Sequence, residues 1–188
     1  MKRYCALALV IAVAACTITP KQPDRVQVAP GIELALPRPD SLGRNLEARQ
    51  LVQAHHGDQS FAFEARISAD SERLLVAGAD TMGRQAMRLV WNGSHLEVER
   101  APWLPAGVRP ENVLADIVLI YWPEPTLRQA LASAGASVVS TRTSRSVRLN
   151  GKEVIAITYQ GDPWSGEAHL SNAAWNYTLR IRSAVVDE

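Results

Sequence analysis

The segment RPENVLADIVLIYWPEPTLRQALASAG, residues 109–135, interrupts a chain that is otherwise patterned like β-strands. Pro110 suits the first turn of a helix, and Pro123 ends the helix that follows it. Between these prolines, apolar residues recur at helical spacing, at Val113, Leu114, Ile117, Val118 and Tyr121. The run is shorter than the ~20 residues that a membrane-spanning helix needs, so it predicts a helix buried inside the protein.

A second helix is predicted from about residue 125 to 134. Its apolar side chains fall on one face, at Leu127, Ala130, Leu131 and Ala134. The two short helices together form an insertion between two strand-like regions.

The chain on both sides of this insertion alternates between apolar and polar residues, as β-strands do. The alternation in WNYTLRIR (175–182) puts Trp175, Tyr177, Leu179 and Ile181 on one side, and FAFEARI (61–67) and QAMRLVW (85–91) behave alike. Asn92-Gly93 and Asn150-Gly151 each separate two such runs. This dipeptide predicts hairpins, because both residues tolerate positive φ.

These elements predict an α+β fold built on one antiparallel sheet with a wet face and a covered face. A one-sided sheet of this length is expected to curl. We therefore expect an incomplete β-barrel whose concave face holds the helical insertion.

The amino terminus has the parts of an export signal. Lys2 and Arg3 precede an apolar run of about a dozen residues, which is too short to span a membrane. Val13-Ala14-Ala15-Cys16 then resembles a bacterial lipobox. The resemblance implies cleavage before Cys16, lipid on its thiol and acylation of the new amine. Because Thr17 is not aspartate, analogy with proteobacterial lipoproteins points to the periplasmic face of the outer membrane.

Three regions are expected along the chain. Residues 1–15 are the signal peptide, residues 16–40 are a lipidated, proline-rich tether, and residues 41–188 are the folded domain. Five of the eleven prolines lie in the tether, although VQVAPGIELAL within it could also lie along the domain edge. Cys5 leaves with the signal and Cys16 carries lipid, so the mature chain keeps no thiol for a disulfide.

The charge balance gives no support for a nucleic-acid partner. The net charge is +1, and loss of Lys2 and Arg3 with the signal leaves −1; nucleic-acid binding would favour a basic stripe. The sequence also has no cofactor motif. His55-His56, His95 and His169 lack metal-ligand spacing, and adjacent side chains in a strand point to opposite faces.

Two segments could carry polar chemistry. Asp116, the polar break in the first helix, is either an acid/base group with a raised pKa or a side chain that caps or pairs locally. GDPWSGEAH (161–169) contains Ser165 and His169, but no positioned base or oxyanion hole is apparent, so a hairpin loop is expected and an enzyme is not.

The lipobox, the curled sheet and the helical insertion together resemble the LolA/LolB-like fold of lipoprotein localisation factors. More closely, ADIVLIYWP (115–123) and LSNAAWNYTLRIRS (170–183) resemble a family of unknown function. That family comprises small lipoproteins from bacterial aryl polyene biosynthesis clusters. The resemblance implies Cys16 as the lipid site and assigns Trp122-Pro123 to a lid and cavity.

The expected function is to bind or transfer an amphiphile, such as an acyl chain, a lipoprotein lipid or an aryl polyene lipid. The ligand would contact Leu114, Ile117, Val118, Tyr121 and Trp122. Expected partners are the membrane, through the lipid on Cys16, and envelope transport proteins. Because sequence does not separate a filled core from a cavity, a scaffold lipoprotein that recruits other envelope proteins remains the alternative.

Overall fold

A computed structural model describes residues 24–105 and 107–186 of the chain. The predicted signal peptide and Cys16 lie outside these residues. Ten strands form one open antiparallel sheet, and two further strands form a separate hairpin. In chain order, the elements are β1 (Arg25–Ala29), β2 (Ile32–Ala35), β3 (Leu46–His56), β4 (Gln59–Ala69), β5 (Leu74–Asp80), β6 (Gln85–Trp91), β7 (Leu96–Arg100), α1 (Pro110–Tyr121), α2 (Glu124–Leu131), β8 (Ala136–Ser140), β9 (Ser144–Leu149), β10 (Lys152–Gln160), β11 (Glu167–Asn172) and β12 (Tyr177–Val185). The α+β prediction is confirmed.

The sheet consists of two five-stranded meanders joined at its centre. Its strand order is β7-β6-β5-β4-β3-β12-β11-β10-β9-β8. The helical insertion separates the meanders in sequence, and the last strand returns to pair with the first strand of the sheet, Tyr177 opposite His56 and Val185 opposite Ala48. This central pair joins segments more than a hundred residues apart in the chain.

Helix α1 contacts strands near both edges of the sheet. It packs against β6, the second strand in spatial order. On β9, the ninth strand, Arg145 donates hydrogen bonds to the carbonyls of Leu119 and Ile120. In a flat sheet these strands would lie ~34 Å apart, at about 4.8 Å per strand, whereas a helix is only ~10–12 Å across. The sheet therefore curls around α1.

Burial of α1 follows from its composition. Every residue from Leu114 to Tyr121 is buried, including Asp116. The carbonyls left free at its carboxyl end are partly satisfied by Arg145 and by the Tyr159 hydroxyl, which donates to Ile120 at 2.8 Å. No helix among the described residues has the length and apolar character to cross a membrane.

Residues 24–40 differ from the predicted tether. Strands β1 and β2 pair as a hairpin, and its apolar side chains are buried in the core at Val26, Val28, Ala29, Ile32 and Leu34. Pro30 lies in the turn between the two strands, so it does not interrupt their pairing, and the apolar side chains are free to enter the core. Among the described residues, the folded domain therefore begins before residue 41 and includes β1 from Arg25.

Both Asn-Gly dipeptides lie at hairpins but build them differently. At Asn150-Gly151 both residues have positive φ, 51° and 79°, as a two-residue turn requires. At Asn92-Gly93 only Gly93 has positive φ. There the Asn92 side-chain oxygen accepts hydrogen bonds from the backbone N–H groups of Ser94 and His95, so a side chain organises the turn.

Candidate functional site: a cavity between helix α1 and the sheet

A cavity of about 620 Å³ lies between α1 and the concave face of the sheet. Three adjacent central strands form one wall through alternate residues: Val52 and Ala54 of β3, Phe61, Phe63 and Ala65 of β4, and Tyr177, Leu179 and Ile181 of β12. Helix α1 forms the facing wall through Asn112, Val113, Asp116, Ile117 and Ile120. The lining is therefore mainly apolar.

Burial along β3 shows in which direction the cavity opens. Its inward-facing residues Ala48 and Gln50 are buried, Val52 and Ala54 are half-buried, and His56 is exposed. The inward residues of β4 and β12 follow the same gradient, because the three strands are paired in register. The cavity is thus open at the β3–β4 turn and closed at the other end.

The closed end is filled by aromatic and hydrogen-bonded side chains. Trp164, from the β10–β11 loop, is buried and stacks on Tyr121 with 3.9 Å between ring centroids. Gln50 Nε2 donates to the Tyr121 hydroxyl at 2.7 Å and to Ser183 Oγ at 3.1 Å, and these two oxygens lie 3.0 Å apart. Burial raises the pKa of Tyr121 to about 12, which keeps this network protonated.

We call the residues around the opening the rim: His55, His56, Gln59, Arg109 and Trp175. All are exposed except Trp175, which is half-buried. Two further exposed apolar side chains lie at this end of the sheet: Met82 in the β5–β6 turn, and Trp103, whose ring packs under the Arg84 guanidinium at 4.8 Å. The rim itself therefore contains basic side chains, and exposed apolar side chains lie near it.

Asp116 is the acidic side chain in the wall. It is 8% exposed, and its Oδ1 accepts a 2.7 Å hydrogen bond from the Tyr177 hydroxyl. Tyr177 in turn accepts a hydrogen bond from Asn172. Burial raises the pKa of Asp116 to about 7, although the Tyr177 hydrogen bond favours the ionised form. Asp116 thus changes charge near neutral pH while facing an apolar space.

The structure divides the five predicted ligand-contacting residues. Ile117 lies in the cavity wall. The other four are buried on other sides of the insertion: Leu114 and Val118 in the core, Tyr121 against Trp164, and Trp122 with its indole N–H on Ser41 Oγ at 2.9 Å. Apolar residues occur on all sides of α1, so they do not indicate which face meets open space, whereas the polar residues Asn112 and Asp116 both lie on the cavity face.

Other polar candidates from the sequence lie away from the cavity. His169 is exposed on β11, and His95 is exposed in the β6–β7 turn. Ser165 donates to Asp162 in the β10–β11 loop; the hairpin loop predicted there is present, but at the closed end. The local pairing weighed for Asp116 is wrong: its partner, Tyr177, is 61 residues away.

The predicted ligand-contacting residues do not include the sheet residues of the wall, although the sequence pattern groups several of them. The alternation in residues 175–182 already grouped Trp175, Tyr177, Leu179 and Ile181, and all four line the cavity. Periodicity identified the covered face. It did not indicate that a cavity, and not other side chains, lies against part of that face.

An open antiparallel sheet curled around a helix, with a mainly apolar cavity open at one end, defines the structural class of this chain. Residues 47–185 match a family described as protein of unknown function (DUF3261). Since the match covers most of the chain, the protein belongs to that family. No curated protein matches the sequence.

Proposed function

We propose that this protein is an outer-membrane lipoprotein, anchored by lipid on Cys16, that binds or transfers an amphiphile without bond chemistry. The cavity carries the proposal. Its volume of about 620 Å³ falls within the ~300–1,000 Å³ typical of small-molecule sites, which are likewise mostly apolar with few polar groups.

The half-buried part of the wall provides apolar surface that a ligand chain could cover. Val52, Ala54, Phe61, Phe63 and Leu179 are only half-buried, although they face the concave side of the sheet. Contiguous apolar surface of this kind marks ligand grooves and interaction sites. An acyl or polyenyl chain would bury it, and burial of that surface would drive uptake from a donor.

The proposal includes a LolA/LolB-like function, in which an apolar chain passes between carriers and membranes. An aryl polyene lipid is one ligand that this hypothesis admits. The rival scaffold function needs a filled core, and the cavity favours a carrier over it.

Uptake of the neutral fluorescent probe N-phenyl-1-naphthylamine tests the proposal. Ala54→Trp places an indole in the cavity, whereas Ala62→Trp places the same indole on the exposed outer face of β4. We expect the wild type and Ala62→Trp to bind the probe equally, and Ala54→Trp to bind at least 5-fold more weakly while keeping the wild-type circular dichroism spectrum. No uptake by the wild type, or equal uptake by all three proteins, overturns the proposal.

A further inference from the structure

We infer that the amphiphile carries an anionic head group, which the rim holds through Arg109 and His56 while the chain enters the cavity. This inference rests on the proposed function and adds the chemical class of the ligand. It derives from how charge is distributed around the cavity.

Basic and acidic groups occupy different depths in the wall. The basic side chains His55, His56 and Arg109 are all exposed at the rim. Asp116 lies deeper, is buried, and has Oδ1 engaged by Tyr177. A ligand that enters chain first therefore leaves its head beside basic groups.

Arg109 is available to a ligand. It directly precedes α1, and among residues 24–105 and 107–186 its side chain makes no ion pair within 4.0 Å. The neighbouring Glu111 is exposed and is not part of the cavity wall. The positive end of the α1 dipole lies at the same opening and adds to the attraction for an anion.

His56 faces the opening from the sheet side. It stands opposite Gln59 on β4 and Tyr177 on β12, both of which line the cavity. His55, also part of the rim, lies at the strand end, where its Nδ1 is 2.8 Å from Ser60 Oγ. Asp58, in the turn between these strands, is exposed and does not contribute to the wall. An imidazole and a guanidinium thus approach one opening from two elements.

The interior opposes the reverse orientation. An anionic head pushed inward would meet Asp116, whose ionised form would repel it in a poorly solvated space. A cationic head would meet Arg109 at the entrance. The arrangement therefore favours an anionic amphiphile with its chain inside and its carboxylate or phosphate at the rim.

Four ligands with the same twelve-carbon chain separate the alternatives: dodecanoate, dodecyl phosphate, dodecanol and dodecyltrimethylammonium. Each is titrated below its micelle concentration into the purified full chain at pH 7 with bound N-phenyl-1-naphthylamine. We expect at least one anion to displace the probe at a concentration 10-fold or more below that of the ammonium compound. This preference should shrink in 0.5 M NaCl, because salt screens exposed charges.

Charge reversal at the rim supplies the matched test. Arg109→Glu should remove the preference for anions over the ammonium compound, while Arg109→Lys should keep it. Arg142→Glu reverses an exposed arginine in the β8–β9 turn, away from the cavity, and should behave as wild type.

The outcomes distinguish failure of the head-group inference from failure of the proposed amphiphile binding. If all four compounds displace the probe equally, or if Arg109→Glu keeps the preference, the head-group inference is overturned while amphiphile binding stands. If neither the probe nor any of the four compounds binds, the proposed function fails as well. A preference for only one of the two anions supports the inference and narrows the head group.

Discussion

The Tyr177 hydroxyl of β12 donates a 2.7 Å hydrogen bond to Asp116 Oδ1 of α1, across the cavity wall. It ties the helical insertion to the central strand pair of the sheet. Burial raises the pKa of Asp116 to about 7, against the opposing effect of this hydrogen bond, so the charge of the cavity interior changes near neutral pH.

Stability should fall as pH rises from about 4 to about 7. The folded protein keeps the Asp116 proton in this range, whereas the unfolded chain loses it near the ordinary value of 3.8. The unfolded state therefore binds fewer protons, and ionising the buried group costs on the order of 4 kcal/mol, at about 1.4 kcal/mol for each pH unit. Asp116→Asn should flatten this part of the urea-unfolding profile.

The matched control for that experiment is Glu97→Gln, which removes an exposed carboxylate on β7. It should keep the wild-type dependence of unfolding free energy on pH. If the unfolding free energy of Asp116→Asn depends on pH as that of the wild type does, Asp116 titrates in the folded state as it does in the unfolded chain.

Removing the Tyr177 hydroxyl should raise the pKa of Asp116 further. The hydrogen bond stabilises the carboxylate, so its loss in Tyr177→Phe favours the protonated acid. Carbon-detected NMR of the aspartate carboxyl groups measures this directly. Tyr159→Phe is the control, because the Tyr159 hydroxyl donates to the Ile120 carbonyl and not to Asp116; an unchanged Asp116 titration in Tyr177→Phe would contradict the assignment.

The closed end should depend on Trp164. Trp164→Ala removes a buried indole stacked on Tyr121 and should lower the free energy of unfolding by about 3–5 kcal/mol, as for other large-to-small core changes. Trp103→Ala removes a partly exposed indole at the open end and should cost about 1 kcal/mol or less, the scale of its cation–π contact. Urea unfolding followed by circular dichroism compares the two, and equal losses would be inconsistent with this packing.

Lipidation is tested by the intact mass of protein extracted from membranes. The mature chain should begin at Cys16 and carry acyl mass, and Cys16→Ala should abolish that mass and release the protein from the membrane fraction. Cys5→Ala, within the expected signal peptide, should leave the mature mass unchanged. An unmodified Cys16 in the wild type would remove the anchor from the proposed function.

Local periodicity predicted much of the fold. Two prolines and an apolar stripe indicated α1, and alternation identified the inward faces of β4, β6 and β12. The prolines of residues 16–40 favoured a tether over the β1–β2 hairpin, yet Pro30-Gly31 between alternating runs is itself a turn signal. The pairing of β3 with β12 had no local signal, since it joins segments far apart in the chain.

The candidate site was harder to predict, for physical reasons. Ile117 and Leu114 are equally apolar, but one faces the cavity and the other the core. Hydrophobicity reports removal from water and does not distinguish a neighbouring side chain from a ligand. The hydrogen bond from Tyr177 to Asp116 likewise depends on tertiary packing.

The most direct test of amphiphile binding in the cavity is native mass spectrometry of the full chain extracted from its own membrane. The proposed function predicts an additional non-covalent mass that corresponds to one amphiphile, present in wild type and Ala62→Trp and reduced in Ala54→Trp. A wild-type protein that carries no such mass, and takes none up from added dodecanoate, dodecyl phosphate or dodecanol, would contradict it.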